Sequence, residues 1–302
     1  MGERLVSNQP NLFIAGAAKS GTTSLYAYLQ QHPDIYMSPI KEPHYLCSHH
    51  FPETFTGPGD EDLNVVRTEA AYRQLFDGAA DYPVTAEASV YYLYFPDTAE
   101  KIQAWNPEAK VILLLRNPVD RAFSAYKHTI RDGRETLSFE QALEAEPKRR
   151  AAGYQPLWWY REIGLYYQQV KRYLDVLSPE RVKIFLYDDL KDTAQVVKDS
   201  LEFLGLSTDV KIDVGIRHNV SGVPKSRAAY EFFAKPNVVK EIIKPFLPKK
   251  VSRALGERAK LMTMRQDETM KPETAQALKA YYREDILHLQ ELIGRDLSHW
   301  LR

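Results

Sequence analysis

Lys19 stands in the run Gly16-Ala17-Ala18-Lys19-Ser20-Gly21-Thr22-Thr23-Ser24, between the apolar stretch Leu12-Phe13-Ile14-Ala15 and a helical pattern. A turn of small residues leaves backbone N–H groups pointing outward, and a helix beginning in hydroxyl residues adds partial positive charge. Lys19 adds a full charge, so the segment is suited to holding an anion such as a phosphate. An NTPase loop reads Gly, four residues, Gly-Lys-Ser/Thr. Here Ala18 precedes the lysine and Gly21 follows it, so the loop is a phosphate loop spelled unlike an ATPase loop.

A second site lies in Lys110-Val111-Ile112-Leu113-Leu114-Leu115-Arg116-Asn117-Pro118-Val119-Asp120, continuing to Ser124. A strand would deliver Arg116 at its end, with Asn117 capping a helix whose first residue is Pro118. Ser124, further along that helix, can face back toward Arg116. A guanidinium fork beside a hydroxyl is a good holder for a phosphate monoester. The plain structural alternative is an ion pair between Arg116 and Asp120.

Both sites need a frame. Strands are predicted at Leu12–Ala15, Ile35–Met37, Val84–Ala86, Val111–Leu115 and Val182–Leu186. Helices are predicted at Thr23–Gln31, Thr98–Trp105, Val119–Arg131, Phe139–Glu146, Leu165–Leu177, Ala194–Leu204 and Pro272–Ile293. Short continuous apolar strands alternating with amphipathic helices indicate an α/β fold: one P-loop-like domain over residues 1–302, its central, mainly parallel sheet covered by helices on both faces. Ligands on such sheets bind at the carboxyl ends of the strands, where both candidate sites fall. Ser48 to Asp81 is rich in Gly, Pro and charge, as a surface excursion would be, and the segment about 228–270 reads as a basic, helical, acceptor-side cover.

The chain has 302 residues, 44% of them hydrophobic, which excludes global disorder. Its 40 basic and 40 acidic residues cancel, so no overall field draws in nucleic acid or an anionic membrane. The lone Cys47 fits a reducing compartment. No apolar run approaches the roughly 18 residues of a membrane span, and Met1 to Gln9 lacks an apolar signal core. A soluble, cytoplasmic protein is expected.

Taken together, the two sites resemble a known family. Lys19-Ser20-Gly21-Thr22-Thr23-Ser24-Leu25 is similar to the 5′-phosphosulfate loop of sulfotransferases that use 3′-phosphoadenosine 5′-phosphosulfate (PAPS). Arg116 through Ser124 resembles their 3′-phosphate-binding strand and helix. Tyr187, in Phe185-Leu186-Tyr187-Asp188-Asp189-Leu190, matches the family tyrosine on the adenine side. Arg217, His218, Lys225 and Ser226 occupy the place of the late basic loop that closes over the nucleotide. The resemblance runs from Asn11 to Arg227 and is closer to the glycan and Golgi-type branch than to the phenol and steroid branch.

That resemblance implies in-line sulfuryl transfer with PAPS as co-substrate and 3′,5′-ADP (PAP) as product. Lys19 and the loop amides would stabilise charge growing on the leaving phosphate. The moving group carries little negative charge, so a magnesium clamp is not obligatory. No metal site is expected: the eight histidines form no His-x-x-x-His pair, and the His49-His50 doublet reads as a solvated loop.

The acceptor must lose a proton, so a base is required. Glu42, in Lys41-Glu42-Pro43-His44, lies where glycan and tyrosyl-protein sulfotransferases carry their catalytic glutamate, and His44 resembles the histidine that follows it in the glycan enzymes. Glu87 resembles the glutamate of a Glu-Lys-Ser/Thr motif used as base by the N-sulfating branch, with Ala88 in place of the lysine. Glu42 is favoured over Glu87. The aromatic block Trp158-Trp159-Tyr160 reads first as core, and second as a stacking wall for a flat acceptor. A glycan or glycolipid sugar leads among acceptors, ahead of a natural-product or acyl hydroxyl. A P-loop nucleotide kinase is the nearest other enzyme, and an inactive nucleotide-binding protein the nearest non-enzyme.

Overall fold

Five strands carry the site: β1 (Leu12–Gly16), β2 (Ile35–Met37), β3 (Val84–Ala88), β4 (Lys110–Leu115) and β5 (Val182–Leu186). They pair in parallel in the order β2-β3-β1-β4-β5, in the computed structural model that describes residues 9–215 and 269–302 with a short antiparallel pair, Val223–Pro224 against Met264–Arg265. Side chains alternate across the sheet. Phe13, Ala15, Val111, Leu113 and Leu115 enter one core, while Leu12, Ile14, Ile112 and Leu114 enter the other. Burial on both faces explains why these strands read as unbroken apolar runs.

Among the described residues the helices are α1 (Thr22–Leu29), α2 (Glu69–Gln74), α3 (Thr98–Trp105), α4 (Pro118–Arg131), α5 (Phe139–Ala151), α6 (Tyr166–Leu177), α7 (Thr193–Leu204) and α8 (Pro272–Ile293). The predicted sheet and seven predicted helices are present, most with ends shifted by a residue or two. The exception is α5, which runs through Pro147 to Ala151. A proline removes one backbone donor, leaving the carbonyl four residues earlier without its partner. That carbonyl, on Leu143, accepts instead from Arg161 Nη2 at 2.9 Å, so the helix need not stop.

The excursion after Ser48 is more firmly anchored than its composition suggests. Asp60 is buried and accepts from Gln155 N at 2.8 Å, Gln155 Nε2 at 2.6 Å, Trp158 Nε1 at 2.9 Å and the Arg134 guanidinium. Helix α2, missed in the sequence, is only six residues long and is capped by the Thr68 side chain. It carries the buried Tyr72, whose hydroxyl donates to Glu87 of β3. Trp158 and Tyr160 are fully buried, so the core reading holds for them; Trp159 is half-buried, edge-on to Tyr94. Residues 1–8, Arg217, His218, Lys225, Ser226 and most of the segment 228–270 lie outside the described residues.

Candidate active site

The strand order reverses beside β1: β3 lies on one side and β4 on the other, and the chain ends following β1 and β4 flank one crevice. The turn after β1 carries two residues of positive φ, Lys19 at 69° and Gly21 at 95°. Such alternation gathers successive N–H groups into a concave anion nest. Gly21 is also the N-cap of α1 and supplies no side-chain cap, so the first-turn amides of Thr22 and Thr23 have no intrahelical partner. The left-handed φ of Gly21 is what favours glycine there; a Cβ would meet Leu190 Cδ1, the movable end of its side chain, at 2.5 Å and the Tyr187 ring at 3.7 Å.

Arg116 joins the second half-site to the first. Its Nη1 donates to the Lys19 carbonyl at 3.1 Å, and its guanidinium lies 4.4 Å from the centre of the Tyr187 ring. Asp120 is exposed at the start of α4, and the contacts of the Arg116 guanidinium run instead to the Lys19 carbonyl and the Tyr187 ring. Its Nε is buried and without a hydrogen-bond partner among the described residues, which suits an incoming anion. Asn117 caps α4 by accepting from Val119 N at 3.0 Å. Ser124 is buried on the same helix. Lys19, Gly21, Arg116 and Tyr187 are therefore brought together, with Ser20, Thr22, Thr23 and Ser24 in the same turn and helix start.

His128, absent from the sequence reading, completes the lysine's surroundings. Its Nδ1 accepts from Lys19 Nζ at 3.1 Å and from Arg131 Nη2 at 2.7 Å, while its Nε2 lies 3.4 Å from Asp132. Burial and the charges of Lys19 and Arg131 push the imidazole down, so it is neutral and able to accept. The spacing signal was available: Ser124 and His128 are four apart on one helix face. Burial, followed by Arg131, also lowers Lys19 to about 8.

Glu42 and His44 both adopt positive φ, 65° and 55°, in the segment after β2. Glu42 N donates to the Ala88 carbonyl at 2.8 Å, and His44 N donates to Ser89 Oγ at 3.0 Å, so the end of β3 holds this strained turn in place. The Glu42 carboxylate pairs with Lys41 Nζ and lies 3.3 Å from His44 Nε2. Burial pushes that carboxyl up, but Lys41 and His44 outweigh it and hold it at about 2. The His44 ring is buried and stacked on Tyr91, 4.9 Å between centres.

Glu87 is placed differently. It is fully buried, with Tyr72 Oη donating to one oxygen at 2.7 Å and Ser89 Oγ to the other at 2.7 Å. Burial raises it to about 7 against the lowering influence of Ser89, Tyr72 and Tyr92. A carboxyl protonated more readily in the fold than in the unfolded chain stabilises the fold at low pH, and that contribution is lost between about 4.5 and 7. Wild-type stability is therefore expected to fall by up to about 3 kcal/mol more than that of Glu87→Gln between these limits. Urea unfolding at both pH values checks this, and parallel pH dependences would contradict it.

The sulfotransferase domain family matches residues 9–288 of the chain. A crystal structure of a sulfotransferase from Alicyclobacillus acidocaldarius aligns with 42% identity and a TM-score of 0.78, covering 97% of this chain and 99% of that one. Human heparan sulfate glucosamine 3-O-sulfotransferase 3B1 is 28% identical over 200 residues, 65% of this chain and 46% of the human protein. The membrane-associated sulfotransferase kil1 of Dictyostelium discoideum is 33% identical over 121 residues, 40% of this chain and 23% of that protein. The chain thus spans about half, or less, of these curated relatives. An anion nest and an arginine facing one another across the switch point of a parallel sheet are features this match explains, and the chain belongs to the sulfotransferase domain family.

Proposed function

We propose that the chain transfers the sulfuryl group of PAPS to a hydroxyl of a glycan, with Lys19 and the loop amides at the 5′-phosphosulfate, Arg116 and Ser124 at the 3′-phosphate, and Glu42 as general base. The observation that carries this reading is the joining of the two half-sites, in which Arg116 reaches across to the Lys19 carbonyl. The first-turn amides, Lys19 and the unpartnered Arg116 Nε fit two separated phosphates.

The acceptor oxygen forms a bond to sulfur while its proton passes to Glu42. The bond from sulfur to the bridging oxygen breaks, and its electron pair stays on the 5′-phosphate beside Lys19. Lys41 keeps Glu42 ionised, so the carboxylate is ready to accept at neutral pH. His44 and Tyr91 fix its direction. Glu87 acts through Ser89 on the His44 turn, as a positioning residue rather than a base. A sugar acceptor is supported by the relatives named for heparan sulfate and carbohydrate. Cytoplasmic placement rests on the single thiol Cys47, which is buried; among the described residues no helix is long and apolar enough to cross a membrane.

Arg116→Ala is expected to weaken 3′,5′-ADP binding roughly tenfold to a hundredfold, the loss of about 1.5–3 kcal/mol from a charge-assisted bond, while 5′-AMP binding changes far less. Calorimetry with both nucleotides reads the difference, and equal losses would remove Arg116 from the 3′-phosphate. Incubation with sulfur-labelled PAPS and a panel of desulfated glycans tests the reaction itself. Label found only in inorganic sulfate would count against a glycan acceptor.

A further inference from the structure

We propose that His49, His50 and Asp97 form a binding site for a divalent transition-metal ion of the zinc class. The two histidines end the turn Tyr45–His50, and Asp97 sits at the N-cap of α3, so no local pattern connects them. In the fold His49 Nε2 lies 2.8 Å from one oxygen of Asp97, and His50 Nε2 lies 2.6 Å from the other. All three ligand atoms fall within 4.8 Å of one another. The doublet is exposed, as a solvated loop would be, and its two rings also converge on Asp97.

Two imidazoles and one carboxylate, with water or a fourth ligand, are a donor set suited to zinc and its neighbours. Tetrahedral bonds of about 2.0–2.2 Å would ask these contacts to open by about 0.5–1 Å. The surroundings favour that geometry. The His50 ring is stacked on the buried Phe95, 4.6 Å between centres and 10° between planes, which fixes its direction. The Asp97 carboxylate accepts no helix-capping bond, so its oxygens are turned to the two histidines and Lys101.

Lys101 shows that the cluster attracts positive charge. One turn along α3, its Nζ lies 3.2 Å from Asp97 and 2.8 Å from His49 Nδ1. A metal on Nε2 moves the ring proton to Nδ1, which then faces the ammonium group. Lys101 therefore has to swing into solvent, as its exposed side chain allows. The lysine and the metal compete for one carboxylate. The ion would tie the turn that begins at His44 to α3.

The test uses the full, tag-free chain after chelator dialysis, titrated with Zn²⁺ by calorimetry and with Co²⁺ by visible absorption. One ion per chain is expected. His49→Gln, His50→Gln and Asp97→Asn should each weaken it at least about tenfold, since even outer-shell losses cost that much. Lys101→Met should bind more tightly, Cys47→Ser should bind as wild type does, and Zn²⁺ should raise the melting temperature of wild type but not of Asp97→Asn. If His50→Gln unfolds for want of its stack on Phe95, His49→Gln and Asp97→Asn decide the matter. Undiminished binding in those variants, or no saturable binding by wild type at micromolar ion, overturns the site.

Discussion

Glu42→Gln is expected to lower turnover by roughly a hundredfold to ten-thousandfold while leaving 3′,5′-ADP binding unchanged. Glutamine keeps the size of the side chain and can still accept from Lys41, but it cannot take the acceptor's proton. In the proposed arrangement the phosphates meet the loop after β1 and Arg116, while Glu42 stands on the turn after β2. Glu87→Gln should retain most activity, because its carboxyl is fully buried beneath Tyr72 and Ser89. Steady-state rates with saturating donor, paired with calorimetry on the same preparations, separate the two glutamates. A dead Glu87→Gln beside an active Glu42→Gln would reverse the assignment. The held-down Glu42 also has a pH consequence. Its carboxyl at about 2 stays ionised far below neutrality, so no acid limb from Glu42 is expected between pH 5 and 8. Lys41→Met removes the cation that lowers it and should move that limb upward.

Lys19→Ala should reduce turnover about a hundredfold to a thousandfold at saturating donor, and affinity for the desulfated product by much less. The reason is timing: the ammonium meets more negative charge on the bridging oxygen in the transition state than in either nucleotide. Burial and Arg131 lower the free amine to about 8, so near that pH a sizeable fraction is neutral before ligand arrives. An incoming phosphate favours the charged form, and 3′,5′-ADP binding above pH 8 should therefore take up a proton. Binding heats compared across buffers of different ionisation enthalpy would show it, and Lys19→Ala should abolish it. His128 accepts from this same amine, so its neutral ring steadies the lysine without adding a competing charge. Unchanged turnover in Lys19→Ala would defeat the loop assignment.

Much of this was legible because local rules and tertiary demands agree. The apolar runs of β1 and β4 are continuous since both faces are covered, and Gly21 is conspicuous because glycine adopts its left-handed backbone without strain. Asn117-Pro118 announces the start of α4 by cap chemistry alone. The failures have a common cause. Asp60 meets Gln155 and Trp158 from far along the chain, and the His49-His50 pair meets Asp97, contacts no local pattern encodes. Glu42 and Glu87 look alike in sequence, each following or ending a strand. Their difference is the cationic company of Glu42, Lys41 and His44, against the full burial of Glu87 beneath Tyr72 on the short helix α2, which the composition of its segment concealed. Pro147 misled because the rule it invokes is local, while the group that relieves it, Arg161, is not.

The central claim is that the crevice between the loop after β1 and the end of β4 holds a 3′-phosphorylated adenine nucleotide. Calorimetric titration of the wild-type chain with 3′,5′-ADP, set beside ATP with Mg²⁺, tests it most directly. The account predicts saturable binding of 3′,5′-ADP at one site per chain, lost in part with Arg116→Ala, and little or no binding of ATP with Mg²⁺. Tighter binding of ATP with Mg²⁺ than of 3′,5′-ADP, indifferent to Arg116, would contradict it and make the loop that of a phosphotransferase.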